Sequence, residues 1–212
     1  MSVFGILLAL FALVLFVVFL FVSSLFVGED TGIPVPESPK KSTLKAAIFC
    51  GGPSVSPPYL HYDGYADCRA AAAVQGGDRA CMSACLGYGS CVEACPQGAI
   101  SLDETGLPQI SDACTACGHC MAVCPRDVIR LIPRDADLIV ACSSRDAPAL
   151  RASLCRHPCN GCTICVSVNS SGGYRVDKQT ALARIDYSKR GDRQAGQHAC
   201  PKSCIRPAWK VP

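Results

Sequence analysis

Several absences narrow this 212-residue sequence before any motif is read. It has no Gly-x-Gly-x-x-Gly run and no glycine-rich phosphate loop, so it lacks a cradle for a dinucleotide or nucleotide. No nucleophile–base set is evident, which speaks against covalent catalysis by this chain. The arginines are scattered rather than interleaved with aromatics, which speaks against nucleic acid as a partner. Charge is missing altogether between Val3 and Val27, where Leu, Phe and Val dominate.

Cysteine is what the chain has in excess, with 17 residues. In a small secreted protein that number suggests a disulfide scaffold. The spacing points elsewhere. Cys114-Thr-Ala-Cys117-Gly-His-Cys120-Met-Ala-Val-Cys124-Pro125 is a complete C-x2-C-x2-C-x3-C-P run. Such a run puts three thiolates on one [4Fe–4S] cubane and sends the fourth cysteine to a neighbouring cluster. A zinc knuckle is the competing reading, but zinc usually takes separated pairs of ligands. His119, between two ligands, reads as a solvated residue.

The crossover requires a partner motif upstream. Cys95-Pro96 ends one, with Cys91 and Cys85 at the expected positions and Tyr88 in the middle slot. Cys81, four residues before Cys85, is available as the replacement. Cluster 1 is therefore assigned to Cys114, Cys117, Cys120 and Cys95, and cluster 2 to Cys81, Cys85, Cys91 and Cys124. The alternative for the Tyr88 motif is a three-iron or dead site.

A second copy of the unit follows. Cys159-Asn-Gly-Cys162-Thr-Ile-Cys165 opens the motif, Asn169-Ser170 stands where Cys-Pro is due, and Cys200-Pro201 closes it. Counting back from Cys200 gives Gly196, Arg193 and Arg190. The losses are coherent: Arg190, Arg193, Gly196 and Asn169 would serve one cluster, whereas Cys159, Cys162, Cys165 and Cys200 would serve the other. A third cubane is predicted at that surviving set. Cys204 is either an alternative fourth ligand or a small buried residue behind the cluster.

The gap from Cys95 to Cys114 nearly equals that from Asn169 to Arg190, and both read as hairpins. Each copy has a similar lead-in, Lys45-Ala-Ala-Ile-Phe-Cys50 and Asp137-Leu-Ile-Val-Ala-Cys142. Cys155 sits four before Cys159, as Cys81 does before Cys85. Cys50, Cys68, Cys142 and Cys155 stay open to three readings: buried small side chains, redox-active pairs, or ligands of something not inferred. The formal charge of +3 counts thiolates as neutral. An oxidised cubane with four thiolates carries about −2, so three take the loaded chain to about −3.

The uncharged N-terminal stretch, about 25 residues long, exceeds the roughly 20 that cross a bilayer as a helix. A cleavable signal peptide is the competing reading, and it wants a basic start, a shorter core and a small-x-small site. Lys40, Lys41 and Lys45 follow the run, which favours a cytoplasmic C-terminal side. The expected organisation is a transmembrane anchor at 1–27, a Pro-rich linker at 28–44 and a lead-in at 45–80. An α+β ferredoxin-like 2[4Fe–4S] domain at 81–135 and a degenerate ferredoxin-like unit at 136–212 complete it.

From about Ala46 to Arg134 the chain resembles the B subunit of the Rnf complex. That membrane-bound oxidoreductase couples electron flow between ferredoxin and NAD to sodium or proton translocation. The resemblance rests on Phe49-Cys50-Gly-Gly52, Tyr62-Asp-Gly64, Asp67-Cys68-Arg-Ala-Ala71, Cys81-x3-Cys85-Leu-Gly-Tyr-Gly-Ser-Cys91, Cys95-Pro96, Gly98-Ala-Ile100 and Gly106-Leu-Pro108 with the run at Cys114. It implies a single-pass protein of the inner (cytoplasmic) membrane with cluster domains facing the cytoplasm. The implied role relays electrons between a soluble ferredoxin-type partner and other subunits of the complex, without a substrate-converting site. Such subunits usually carry one more four-cysteine motif after the anchor; here no cysteine lies between Val27 and Cys50. Other readings are service to another membrane oxidoreductase, a redox or iron sensor, and a zinc-stabilised interaction module.

Overall fold

The computed structural model describes residues 13–19, 42–169, 171, 173–189 and 191–209. Residues 13–19 are helical, with exposed apolar side chains from Leu13 to Phe19. The rest of the expected membrane span, and most of the linker at 28–44, lie outside the described residues. Among the described residues no helix is long and apolar enough to cross a membrane.

The region from Lys40 onward forms one compact unit built from two like repeats. The first runs β1 (Leu44–Ile48), α1 (Cys68–Ala73), α2 (Ser90–Glu93), β2 (Ile100–Leu102), β3 (Pro108–Ile110), α3 (His119–Val123) and β4 (Ile129–Pro133). The second runs β5 (Leu138–Val140), α4 (Pro148–Leu154), α5 (Ile164–Ser167), β6 (Tyr174–Val176), β7 (Ala183–Ile185), α6 (Gln194–His198) and β8 (Ile205–Pro207). In each, the outer strands pair antiparallel, β1 with β4 and β5 with β8. The predicted hairpins form between them as β2–β3 and β6–β7. The lead-in is therefore part of the first repeat, because β1 is one half of its outer ribbon.

Successive side chains on a strand face opposite ways, and both faces of β1 are used. Ala46 and Ile48 pack into the first repeat's core with Ile100, Val128 and Ile129. Ala47 and Phe49 turn the other way, joining Ile132, Ile139 and Ala141 in a core shared by the two repeats. β5 repeats the pattern: Leu138 and Val140 face the second repeat's own core while Ile139 faces the shared one. Strands buried on both faces read as unbroken apolar runs, which is why both lead-ins look alike. Polar ties cross the same seam. Ser143 Oγ donates to Phe49 O at 3.0 Å, and Arg206 Nη2 donates to Ile48 O at 3.2 Å.

The helices are short, one to two turns each, because they sit between cysteine-bearing loops. Asp67 caps α1, accepting from the N–H groups of Arg69 and Ala70. Its other oxygen accepts from Ser90 Oγ at 2.7 Å, and Ser90 Oγ in turn accepts the Cys68 N–H at 2.7 Å. This network fastens Cys68 to the start of α2, beside Cys91.

Candidate functional site

Each short loop that opens a cysteine motif turns its backbone the same way. Left-handed residues recur two and four positions after the first cysteine, at Gly87 and Gly89, Ala116 and Gly118, Gly161 and Thr163. Glycine takes that conformation freely, and in Ala116 and Thr163 the surrounding loop enforces it. The alternation curls the chain so that amides face the sulfurs. Ala116 N–H points at Cys114 Sγ at 3.5 Å, Ala99 N–H at Cys95 Sγ at 3.3 Å, and Ala183 N–H at Cys159 Sγ at 3.3 Å. Such donors stabilise thiolate and tune a bound cluster.

These loops enclose hollows lined by cysteine quartets. Cys95, Cys114, Cys117 and Cys120, the four cysteines grouped by spacing as cluster 1, line one (site 1). Cys159, Cys162, Cys165 and Cys200 line another (site 3), with Cys204 at its wall. Site 2 differs. Cys85, Cys91 and Cys124 share a hollow with Cys68, and Cys81 is not among its lining residues. Cys81 lines a further hollow with Cys50, Cys142 and Cys155. The physical reason is α1: its capped N-terminus carries Cys68 to the space beside Cys91. The four quartets account for every cysteine except Cys204. A wider hollow between β1, β3 and the β8 end holds no cysteine and takes no part in this chemistry.

Without metal these sites favour neutral thiols. Burial, reinforced by neighbouring thiols, pushes Cys91 up to about 12 and Cys120 and Cys165 up to about 11. Ligation to iron reverses this, because a metal holds its sulfur as thiolate. Cys200 and Cys159 depart from the pattern: hydrogen bonding with the Cys204 thiol, whose Sγ lies 3.6 Å from that of Cys200, holds them down to about 5 and about 6 despite burial. Cys204 occupies the place of Val128 in the first repeat. The Val128 carbonyl accepts from Phe49 N–H, and the Cys204 carbonyl accepts from Ala141 N–H. Its buried position is thus that of a core residue behind the cluster. Exposure also sorts the ligands: Cys117 of site 1 and Cys162 of site 3 are exposed, whereas Cys85 and Cys91 of site 2 are buried.

Tyr88, in the middle slot of its motif, is in none of these hollows. Its hydroxyl donates to Asp78 at 3.0 Å and its ring meets Tyr62 edge-on, with centroids 5.4 Å apart. His119 is exposed. Where the second repeat lacks a counterpart to site 1, side chains fill the space. Arg193 and Asn169 are buried, Arg193 pairs with Asp137 at 2.8 Å, and Asn169 Nδ2 donates to Asp192 O. The Tyr174 ring lies against Gly196, where an added Cβ meets ring carbon at 2.6 Å. Arg190 lies outside the described residues. Gly196→Ala is therefore expected to overpack this plug and cost about 1–3 kcal/mol, read as a lower thermal midpoint. An unchanged midpoint would contradict a filled site.

A 4Fe-4S dicluster domain family matches residues 79–128. The B subunit of the ion-translocating oxidoreductase complex of Methanosarcina acetivorans is 33% identical over 181 residues, which are 84% of this chain and 67% of that protein. The chain belongs to the family of Rnf B subunits. Two more members are similar to it. The B subunit of the Na(+)-translocating ferredoxin:NAD(+) oxidoreductase complex of Acetobacterium woodii is 33% identical over 162 residues, covering 76% of this chain and 48% of that one. The B subunit of the proton-translocating ferredoxin:NAD(+) oxidoreductase complex of Clostridium ljungdahlii is 37% identical over 145 residues, covering 68% and 50%. The chain thus spans about half the length of these two Rnf B subunits. The matched dicluster stretch starts after Cys68, so the site 2 quartet reaches beyond it.

Proposed function

We propose that this chain is the iron–sulfur electron carrier of a membrane oxidoreductase of the Rnf type, holding [4Fe–4S] clusters at sites 1, 2 and 3. The observation that carries the reading is the convergence of four cysteines from two or more segments on each hollow, with backbone N–H groups aimed at sulfurs of sites 1 and 3. Site 1 is assigned to Cys95, Cys114, Cys117 and Cys120, site 2 to Cys68, Cys85, Cys91 and Cys124, and site 3 to Cys159, Cys162, Cys165 and Cys200. When bound, each cluster supplies one-electron redox chemistry at a potential set by burial and hydrogen bonds.

The chain's own residues bind, shield and bias. Arg134 Nη2 donates to Cys114 O at 2.5 Å beside site 1, and Arg126 lines site 2, so a guanidinium stands by each to offset cluster charge. The exposed Cys117 and Cys162 are the approaches for exchange with a soluble ferredoxin-type partner and with other subunits. The uncharged run at 1–27 anchors the chain to the cytoplasmic membrane as a single pass, and the segment at 28–44 is its spacer.

Full chain purified anaerobically is expected to carry iron and acid-labile sulfide in equal amounts, at least about twelve of each per chain. Once reduced, it is expected to pass electrons rapidly to oxidised ferredoxin. Stoichiometric zinc without sulfide overturns the reading. Cluster-loaded chain that exchanges electrons only slowly and irreversibly points instead to a sensor.

A further inference from the structure

Four cysteines stand outside those three sites, and they meet. Cys50 follows β1 and Cys142 follows β5; Cys81 and Cys155 each precede by four residues the first cysteine of their repeat's motif. All four line one hollow, as the quartets of sites 1, 2 and 3 line theirs. The titratable neighbours of the Cys81 thiol are Cys50, Cys155 and Cys142. Cys50 Sγ receives backbone N–H groups from Gly52 at 3.4 Å and Cys85 at 3.3 Å, as the ligand sulfurs of sites 1 and 3 do. Ser56 Oγ accepts the Cys81 N–H at 2.9 Å and donates to Leu154 O at 3.1 Å, holding the Cys81 and Cys155 segments together.

A separate observation says what the hollow receives. Arg151 lines it and is only 1% exposed. Its Nη2 donates to Thr180 O at 2.8 Å, but Nε and Nη1 are buried without a hydrogen-bond acceptor. A guanidinium keeps its proton in proteins, so burying one without acceptors requires an anion beside it. Four neutral thiols do not supply one. A cubane held by four thiolates, at about −2, does. Arg206, half-buried and outside the lining of this hollow, donates from Nη2 to Cys50 O, and its buried Nε lacks an acceptor.

We propose that Cys50, Cys81, Cys142 and Cys155 hold a fourth [4Fe–4S] cluster, two ligands coming from each repeat. The proposal rests on the iron–sulfur reading above and adds a site to it. A single zinc ion needs its sulfurs within about 2.3 Å of one point. Among the described residues no three His, Cys, Asp or Glu side chains converge in that way. The fourth site also joins the others. Cys85 of site 2 donates its N–H to Cys50, and Pro158, in the wall of the fourth hollow, is followed by Cys159 of site 3. With Cys91 of site 2 beside Cys120 of site 1, the four sites run in the order 1, 2, fourth, 3.

The test is a count of iron, sulfide and zinc in anaerobically purified full chain and in its Cys155→Ala variant. The unmodified chain is expected to hold about sixteen irons with equal sulfide, and the variant about twelve. The reduced variant is expected to keep the paramagnetic signals of the other sites. If the variant fails to fold, the count on the unmodified chain decides alone. About twelve irons there, with or without one zinc, overturns the fourth site and leaves the other three standing. Absence of iron and sulfide overturns the iron–sulfur reading itself.

Discussion

Cys68→Ala is expected to remove about four irons per chain and the corresponding share of sulfide, leaving the remaining sites loaded. Cys68 lies well outside the motif it completes, and α1 with the Asp67–Ser90 network delivers it. The cap and the two Ser90 hydrogen bonds use backbone and side-chain groups that alanine at 68 preserves, so the loss reads on ligation rather than folding. Metal analysis with low-temperature spectroscopy of the reduced chain checks it. Full iron content in Cys68→Ala would show that site 2 draws its fourth sulfur from elsewhere.

Leu182→Ala is expected to destabilise the second repeat by about 2–5 kcal/mol, through lost burial and the cavity left behind. Leu182 is fully buried among Leu138, Val140, Tyr174 and Ile205. The next residue, Ala183, aims its N–H at Cys159 Sγ, so a loosened core also frees a hydrogen bond to a ligand of site 3. Leu150→Ala, at a position 49% exposed on α4, is the control and is expected to change stability by no more than about 0.5 kcal/mol. Denaturant midpoints of anaerobic samples compare the two; equal midpoints would deny Leu182 its place in the core.

The two hairpins were legible in the sequence because alternation around a turn encodes them, and spacing alone names the candidate site 1 quartet; the outer strands were not, since the lead-ins stood out only by their likeness to each other. Cys114 to Cys120 form a single turn-rich loop, and the return of Cys95 follows from the motif's crossover. The place of Cys68 beside site 2, on which its proposed role rests, has no spacing signal. Cys81 is near Cys85 in the chain, but Cys68 is brought near by a hydrogen-bond network that no window of residues displays. The duplication did hold a clue. Cys50 matches Cys142 and Cys81 matches Cys155, whereas Cys68 has no match at the start of α4. The second repeat keeps Cys162 in the middle slot where the first has Tyr88, so only the first repeat needs a substitute. The fate of the lost site was half legible: its missing ligands were evident at Arg193, Gly196 and Asn169, but not that Tyr174 would plug the space.

That two ligands of the fourth hollow come from each repeat bears on how such a protein is made and how it arose. A ribosome that has delivered only the first repeat has supplied Cys50 and Cys81, half of the donor set. The proposed central cofactor therefore has to be inserted after both repeats have been made, and loading it clasps the two together across their shared core. In descent, a single ancestral unit offers this pair of thiols no mates unless it dimerises. Gene fusion turns a subunit boundary into a permanent internal junction.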